Sequence, residues 1–458
     1  MKVSARSPNG EKEKQWPQIL AIVLGSIILI LSGVLFAWPS PFIPKIKQDL
    51  NYNITESQAS WFTVIQPLGL CVASPFVASL PNIIGRKTSM LLVTLPLTTS
   101  LLIKAFATNL WLLYFSRLIS GAGDALIFAA LPAYIGEVSV PSVRGIWGNA
   151  LIIFLFLGQF LVNAVGSYCS IRLTSFIFLS VPLVYCSTFA FMPESPYFHV
   201  LRGKHEEAKR SLRMLRRKLD VDSEFEAIKY AVEKQAEEAG SWWDLVRVRV
   251  NRMALRAGLL LRISQSFSGI YAFASYTQLI FEKAGGSIEP RTSAMLQSGL
   301  TMFMYSCSSY GSNMLGRRRS FMLSVLFGAV VLFAEATYFL VDERADLDFM
   351  NWFPLAGMLL FVVVSSPGIG ILPTLMTTEL FATSVKTKAV CVVSMVFSLM
   401  NIIVNYSFYY LDVAVGGLYG PFYLFACCNV ISLILSYYVL PETKGKTLEE
   451  IQEDLRKM

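Results

Sequence analysis

The sequence predicts an all-α membrane protein with twelve transmembrane helices in two six-helix halves, and a short cytoplasmic helical domain between the halves. Three observations lead to this fold class. The chain has 458 residues, of which 54% are hydrophobic and only 15% are charged. Its apolar residues are grouped in stretches of about 20 residues, the length that a helix needs to cross a bilayer. Short motifs of the first half recur in the same order in the second half.

Twelve apolar stretches are numbered spans 1 to 12 in chain order. Because hydrocarbon offers the backbone no hydrogen-bond partner, each span is expected to be a helix. Span 1 follows a charged tail and is longer than the core of a signal peptide, so we expect it to remain in the protein. The spans cover residues 17–39, 58–82, 88–107, 110–136, 146–168, 173–192, 257–281, 293–314, 319–340, 353–378, 388–410 and 418–440.

Three pairs of motifs indicate an internal repeat. They are the basic turns LPNIIGRKTSM (80–90) and SNMLGRRRSFM (312–322), the pairs Glu137/Arg144 and Glu379/Lys386, in each of which the base follows the acid seven positions later, and the closing motifs PESP (193–196) and PETKG (441–445). Each motif stands at an equivalent helix end in its half. Parallel repeats of this kind are found in transporters, whose substrate site lies near the midplane between the halves.

The repeat and the charge pattern predict five regions. Between the halves, the acids and bases around Ala208, Leu212 and Leu215 favour short amphipathic helices, although a solvated linker with some helical content remains an alternative. The regions are a cytoplasmic tail at 1–16, a six-helix half at 17–193, cytoplasmic linker helices at 194–256, a second six-helix half at 257–440, and a cytoplasmic tail at 441–458.

The formal net charge of +8 reports orientation rather than a nucleic-acid partner. Lysine and arginine are more frequent in the segments on the side of the amino-terminal tail, so the positive-inside rule places both termini in the cytoplasm. Anionic lipid headgroups are the expected partners of these charges. The seven cysteines lie in or beside spans, and the two histidines share a polar loop. No metal, cofactor or enzyme activity is expected, and the sequence does not indicate an oligomeric state.

Several motifs carry a resemblance to a known family. They are RLISGAG and PAYIGEVSVPSVRG within 117–145, PESPYFHVLRGK, QSFSGI (265–270), ELFATSVK and PETKGKTLEEI. Together and in order, they resemble the sugar-porter family of the major facilitator superfamily over nearly the whole chain. The stretches WPSPFIP, NIT and QASW resemble its arthropod branch of facilitated trehalose and glucose transporters.

The resemblance implies a major facilitator fold in the plasma membrane. It also implies facilitative uniport of a sugar, such as trehalose or a hexose, by alternating access. Two alternatives remain open. The first is transport of another small organic solute, and the second is a solute sensor of the same fold that transports nothing.

Polar residues within the spans are the candidates for substrate binding. Gln265 and Asn401 match positions at which the resembled family contacts sugar, and Asn405 is a further amide in span 11; hydrogen bonding between helices is the alternative role. The family's remaining amides and its tryptophan are replaced, which speaks against asserting glucose and leaves room for a smaller or more apolar solute. These replacements are Ile152, Ser266, Tyr271, Thr301, Ser366 and Thr374.

The basic turns are expected to form ion pairs at the cytoplasmic face. Arg86, Arg144 and Glu137 would meet in the first half, and Arg317 or Arg318, Glu379 and Lys386 in the second. Such pairs can hold the outward-facing state, or the bases can simply anchor the helix ends. The resembled family has an aspartate at Asn82 and Asn313, so the loss of both carboxylates predicts a looser inner gate.

Three of the charges within spans are singled out, namely Arg117, Asp124 and Arg262. Such residues are functional candidates by default. In proton-driven members an acid occupies the position of Leu35, so facilitated diffusion is favoured here, with Asp124 either a coupling group or a member of an internal ion pair. Asn53, in the sequon NIT, is a candidate for glycosylation in the first outer loop.

Overall fold

The computed structural model describes residues 15–49, 52, 54–237, 240–345, 348–382, 384–446 and 448–457. The side chains at 235–237, 309–315, 345, 348, 448 and 457 lie outside this description. Within the described residues all regular structure is helical. The predicted all-α class is therefore confirmed.

The first half consists of helices whose breaks divide several spans into pieces. Span 1 continues through Trp38 into a segment rich in proline, because proline is tolerated in the first turn of a helix. In chain order the helices are Trp16–Ser26, Ile28–Ala37 and Pro39–Gln48 in span 1, Glu56–Val77 and Leu80–Ile84 in span 2, Arg86–Leu92 and Thr94–Phe106 in span 3, Leu110–Val138 in span 4, Pro141–Trp147 and Ala150–Tyr168 in span 5, and Ile171–Phe178 and Ser180–Phe189 in span 6.

The second half and the connecting segments are also helical. Four helices connect the halves, Pro196–Leu201, His205–Arg216, Asp222–Glu237 and Asp244–Arg247. The second half contains Arg249–Phe267 and Ile270–Ala284 in span 7, Pro290–Leu315 in span 8, Arg317–Ala345 in span 9, Phe353–Ser365, a π-type turn Ser366–Gly370 and Leu372–Leu380 in span 10, Lys386–Val415 in span 11, and Tyr419–Val439 in span 12; a 3₁₀ turn Asp348–Met350 precedes span 10, and Leu448–Lys457 follows span 12.

Ten of the twelve expected spans are long and apolar enough to cross a membrane, judged over the described residues by length and composition alone. Spans 7 and 8 are helical but too polar or too short for that criterion. Gly269, with φ of 92°, divides span 7 into two shorter helices, and the first of these carries four arginines. Span 8 contains many serines and a glutamine, which lower its mean hydropathy.

The halves pack against each other through two pairs of spans. Within the first half, spans 2 and 4 and spans 1 and 5 form the main contacts; within the second half, spans 9 and 12 and spans 7 and 11 do so. Between the halves, span 2 packs on span 11, and span 5 packs on span 8. The Ser398 hydroxyl donates to the Pro67 carbonyl over 2.6 Å at the first of these contacts. The ring centroids of Phe156 and Tyr305 are 4.2 Å apart at the second.

The two ends of the bundle differ in how the halves meet. The basic face carries the turns at Gly85 and Gly316. At this face the described terminal helices and the connecting segment also pack against the helices of the bundle. At the opposite face, the end of span 1 packs on the second helix of span 7. There the hydroxyls of Thr63 and Tyr276 are 2.9 Å apart. The opposite face is therefore held by contacts between the halves.

The helices between the halves form a small apolar core of their own. Ala208, Leu212 and Phe225 are buried in it. Arg216 joins this core to the first half, because its Nη1 donates to the Val138 carbonyl over 2.9 Å while its Nη2 lies 2.6 Å from a Glu224 carboxylate oxygen. The segment thus folds into short helices that dock on the bundle.

Candidate functional site

A polar cluster lies where spans 7 and 10 meet. The Gln265 amide donates through Nε2 to the Gly370 carbonyl over 2.7 Å, and its Oε1 accepts a hydrogen bond from Arg262 Nη1 over 2.9 Å. The same Arg262 nitrogen is 3.1 Å from the Thr374 hydroxyl. The π-type turn Ser366–Gly370 interrupts the regular helical hydrogen bonds, which leaves a carbonyl for Gln265. The structure brings together three of the residues singled out in the sequence.

Aromatic rings extend this cluster toward the first half. The Arg262 guanidinium lies 4.9 Å from the centroid of the Phe397 ring, within the range of a cation–π contact. Tyr271 packs edge-on against Phe397, with ring centroids 5.1 Å apart, and against Phe36 of span 1 at 5.9 Å. Because Phe36 belongs to the first half, Tyr271 lies at the boundary between the halves.

The other candidate substrate residues are mostly buried and bonded within their own helices. The Thr301 hydroxyl donates to the Gln297 carbonyl over 2.7 Å, and the Asn405 amide donates to the Asn401 carbonyl over 2.8 Å. The Ser266 hydroxyl and the amide oxygens of Asn401 and Asn405 are buried with no hydrogen-bond partner among the described residues. Of these four residues, Ser266, Asn401 and Asn405 keep a polar atom free for a ligand.

Two residues of this region had no signal in the sequence. Phe397 and Tyr305 are aromatic residues in apolar spans, where such residues are common. The Tyr305 ring stacks near Phe156 of span 5, and its hydroxyl occupies the place that a side chain at Gly370 would need. Gly370 is therefore required for span 8 to approach the π-type turn.

The charges buried in the first half are held by neutral polar groups. Asp124 accepts hydrogen bonds from Ser32 and from Gln66, each over 2.6 Å. Arg117 donates through Nε to the Phe62 carbonyl over 2.9 Å and through Nη1 to the Leu35 carbonyl. Among the described residues, Asp124 and Arg117 form no direct ion pair, although Arg117 and Lys104 both lie near enough to act on the Asp124 carboxylate electrostatically. The role of Asp124, as a coupling group or as a member of an internal ion pair, stays a prediction.

Among the described residues, each half has one ion pair at the basic face. Arg86 Nε lies 2.9 Å from a Glu137 carboxylate oxygen, which also accepts from the Ser195 hydroxyl. Arg317 Nη1 lies 2.8 Å from a Glu379 oxygen. The other residues predicted for these ion pairs form none among the described side chains. Arg144 donates to the Gly136 carbonyl over 3.1 Å, and Arg318 donates to the Tyr437 carbonyl. Lys386 is the third such residue.

The closing motifs of spans 6 and 12 supply glutamates whose role the sequence did not indicate. The Glu194 carboxylate accepts the backbone N–H of Lys87 over 2.9 Å. The Glu442 carboxylate accepts the N–H groups of Arg317 and Arg318 over 3.0 and 3.2 Å. Each glutamate thus caps the helix that follows a basic turn, where backbone N–H groups lack helical partners.

Two candidates cannot be placed. Asn53, the predicted glycosylation site, and the side chain of Asn313 lie outside the described residues. The equivalent Asn82 of the first turn is exposed. The effect of these asparagines on gating stays a prediction.

Comparison with known proteins agrees with this geometry. The family model "Sugar (and other) transporter" matches residues 18–455. The facilitated trehalose transporter Tret1 of Polypedilum vanderplanki is 29% identical over 451 residues, 96% of this chain and 88% of that protein. The Tret1 of Apis mellifera ligustica is 26% identical over 441 residues, 95% of this chain and 87% of that protein.

Solved structures show the same fold. The proton:xylose symporter XylE bound to 6-bromo-6-deoxy-D-glucose matches with a TM-score of 0.77 at 20% identity, over 96% of this chain and 100% of that chain. The inward-open xylose transporter XylE from E. coli matches with a TM-score of 0.75 at 19% identity, over 96% of this chain and 99% of that chain.

Two helical halves with a polar cluster between them define a membrane transport protein of the major facilitator fold. The chain belongs to the sugar (and other) transporter family, since the family model covers nearly all of it. The predicted resemblance is confirmed.

Proposed function

We propose that the protein is a facilitative uniporter of a sugar, such as trehalose or a hexose, in the plasma membrane, with the basic face in the cytoplasm. The observation that carries this proposal is the cluster of Gln265, Arg262 and Thr374 with the Tyr271 and Phe397 rings, which lies in the second half and reaches the first half where Tyr271 packs on Phe36. Amide and hydroxyl groups match the hydroxyls of a sugar, and an aromatic ring offers a face on which a sugar ring can pack. The trehalose transporters named above support this substrate class.

Alternating access requires two halves that move against each other, and we propose residues 17–193 and 257–440 as these halves. At the opposite face the halves are bonded through Thr63 and Tyr276. At the basic face the ion pairs lie within each half, and Arg144 and Lys386 bring like charges from the two halves near each other. This arrangement favours opening at the basic face.

Uniport is supported by the first half. Leu35 contributes a backbone carbonyl to Arg117 and has no group that could carry a proton. Asp124 is held by Ser32 and Gln66. Uptake of a neutral sugar should accordingly be independent of the proton gradient.

The first test is uptake of labelled glucose and trehalose by proteoliposomes. We expect saturable uptake by the parent and a KM raised about tenfold in Gln265→Ala and in Asn401→Ala, because each variant loses about one hydrogen bond to the substrate. Asn429→Ala is the matched control, since the Asn429 amide donates to the Phe425 carbonyl of its own helix over 2.9 Å. Absence of uptake of any sugar by folded parent protein would contradict the proposed function.

A further inference from the structure

Arg262 is a charge in span 7 that has no carboxylate partner in the part of the chain that the structure describes. Its Nη1 donates to an amide and a hydroxyl, which are neutral, and Tyr271 is its only titratable neighbour among the described residues. A cation at membrane depth is costly, and such residues usually pair with an opposite charge. In the first half, Lys104 and Arg117 at least have Asp124 nearby. Among the described residues Arg262 has no such acid, so a negatively charged ligand would compensate its charge.

The guanidinium also has unused donors. Arginine carries five N–H donors, and the structure assigns protein acceptors to Nη1. Arg262 Nε is buried and has no hydrogen-bond partner among the described residues. The partner Thr374 is exposed, and Tyr271 beside it reaches the first half. The unused N–H groups of Arg262 therefore lie at the proposed sugar site.

We propose that the preferred sugar carries an acidic group, a carboxylate or a phosphate, which binds Arg262. This inference rests on the proposed function and narrows its substrate class. Two N–H groups of one guanidinium can bind two oxygens of a carboxylate or phosphate side by side, a geometry that lysine cannot provide. Gln265 and Thr374 hold Arg262 from one side, and Asn401 and Ser266 each keep a polar atom free for the sugar hydroxyls.

Basic side chains are also concentrated on the first half at the opposite face, where they would attract an anionic substrate. A cavity of about 520 Å³ lies there, lined by Lys45, Lys104 and Arg172 and by a single carboxylate, Asp49. Lys45 of the first half and Arg291 of the second half interact electrostatically, so bases from both halves are close together at this face. A cleft with an excess of one charge raises the local concentration of ligands of the opposite charge.

The test compares four labelled solutes in proteoliposomes: glucose, trehalose, gluconate and glucose 6-phosphate. We expect the parent to take up one or both anions with a KM about 10- to 100-fold below that of the neutral sugars, as a charge-assisted hydrogen bond gives. Arg262→Gln should remove this preference by raising the KM for the anions about 10- to 100-fold more than the KM for the neutral sugars. Arg256→Gln, at an exposed arginine of the same helix, is the matched control and should behave as the parent does. The gluconate and glucose 6-phosphate arms distinguish the two acidic groups.

A second readout needs no variant. Uniport of a monoanion moves charge, so at 100 mV it should accumulate about 50-fold toward the positive side, whereas a neutral sugar should equilibrate. Uptake of neutral sugars alone, or the same preference in Arg262→Gln as in the parent, would overturn the inference and leave sugar transport standing. Lack of uptake of all four solutes by folded protein would overturn both proposals.

Discussion

At the scale of single residues, Glu335 in span 9 is an acid without a partner. It is fully buried, and neither carboxylate oxygen has a hydrogen-bond partner among the described residues. It packs against Gly357 of span 10, where a larger side chain would overlap its carboxylate. An unpaired acid in such a place opposes folding, because burial removes its hydration without compensation.

Replacing this acid with an apolar residue of similar size should therefore stabilise the protein. We expect Glu335→Met to increase the free energy of unfolding by about 1–3 kcal/mol and to raise Tm in detergent. Glu282→Met, at an exposed glutamate of the same half, is the control and should leave Tm unchanged. A lower Tm in Glu335→Met would show that the carboxylate makes a favourable interaction after all.

At the scale of helices, the basic turns depend on two glycines. Gly85 and Gly316 have φ of 104° and 88°, which side chains other than glycine rarely adopt. A Cβ at Gly316 would lie 2.9 Å from a Glu442 oxygen, and a Cβ at Gly85 would overlap the Glu194 carboxylate. The glycines thus permit both the turn and the glutamate cap of the following helix.

Gly85→Ala should destabilise the first half by about 1–3 kcal/mol, because it strains the backbone and displaces Glu194. Gly145→Ala offers a control at the same face, since a Cβ there would meet no neighbouring group within 4 Å and its φ is not positive. Thermal unfolding of both variants measures the difference. Equal Tm values would mean that the turn relaxes without cost.

The apolar stretches and the repeated motifs were sufficient to predict the helical architecture, because membrane insertion depends on length and hydropathy. They did not predict the division of span 7 at Gly269 or the π-type turn Ser366–Gly370 in span 10. Both interruptions expose backbone groups that are satisfied by contacts between spans. Such contacts leave no periodic signal in the sequence.

At the scale of the whole molecule, closure of the opposite face depends in part on the hydrogen bond between Thr63 and Tyr276. Tyr276→Phe keeps the ring, which stacks on Phe408 with centroids 4.7 Å apart, and removes only the hydroxyl. We expect the equilibrium between the closed and the open conformation of that face to shift about two- to tenfold toward the open one, which is the effect of one hydrogen bond. Distances between spin labels on spans 2 and 7 measure the two populations.

Tyr423→Phe is the control for this experiment. Its hydroxyl lies 3.1 Å from that of Thr337, and both residues belong to the second half. Loss of this contact should leave the distance between the halves unchanged. Equal behaviour of the two variants would show that the Thr63 contact does not bias the conformation.

The candidate site was predicted only in part. Gln265, Thr374 and Arg262 stood out because amides, hydroxyls and charges are rare in apolar spans. That they meet is a property of the packing of spans 7 and 10. Phe397 and Tyr305 were missed, because an aromatic residue in a membrane helix has the same appearance whether it faces lipid or a substrate.

The glutamates that close the two halves have a consequence for biosynthesis. Glu194 caps a turn of the first half, and Glu442 caps the equivalent turn of the second. Glu194 leaves the ribosome before span 7 is translated, and domains generally fold as units during synthesis, the amino-terminal one first. We therefore expect the Glu194 cap of the first half to form while the second half is still being synthesised. The nascent chain would then assemble in two separate stages.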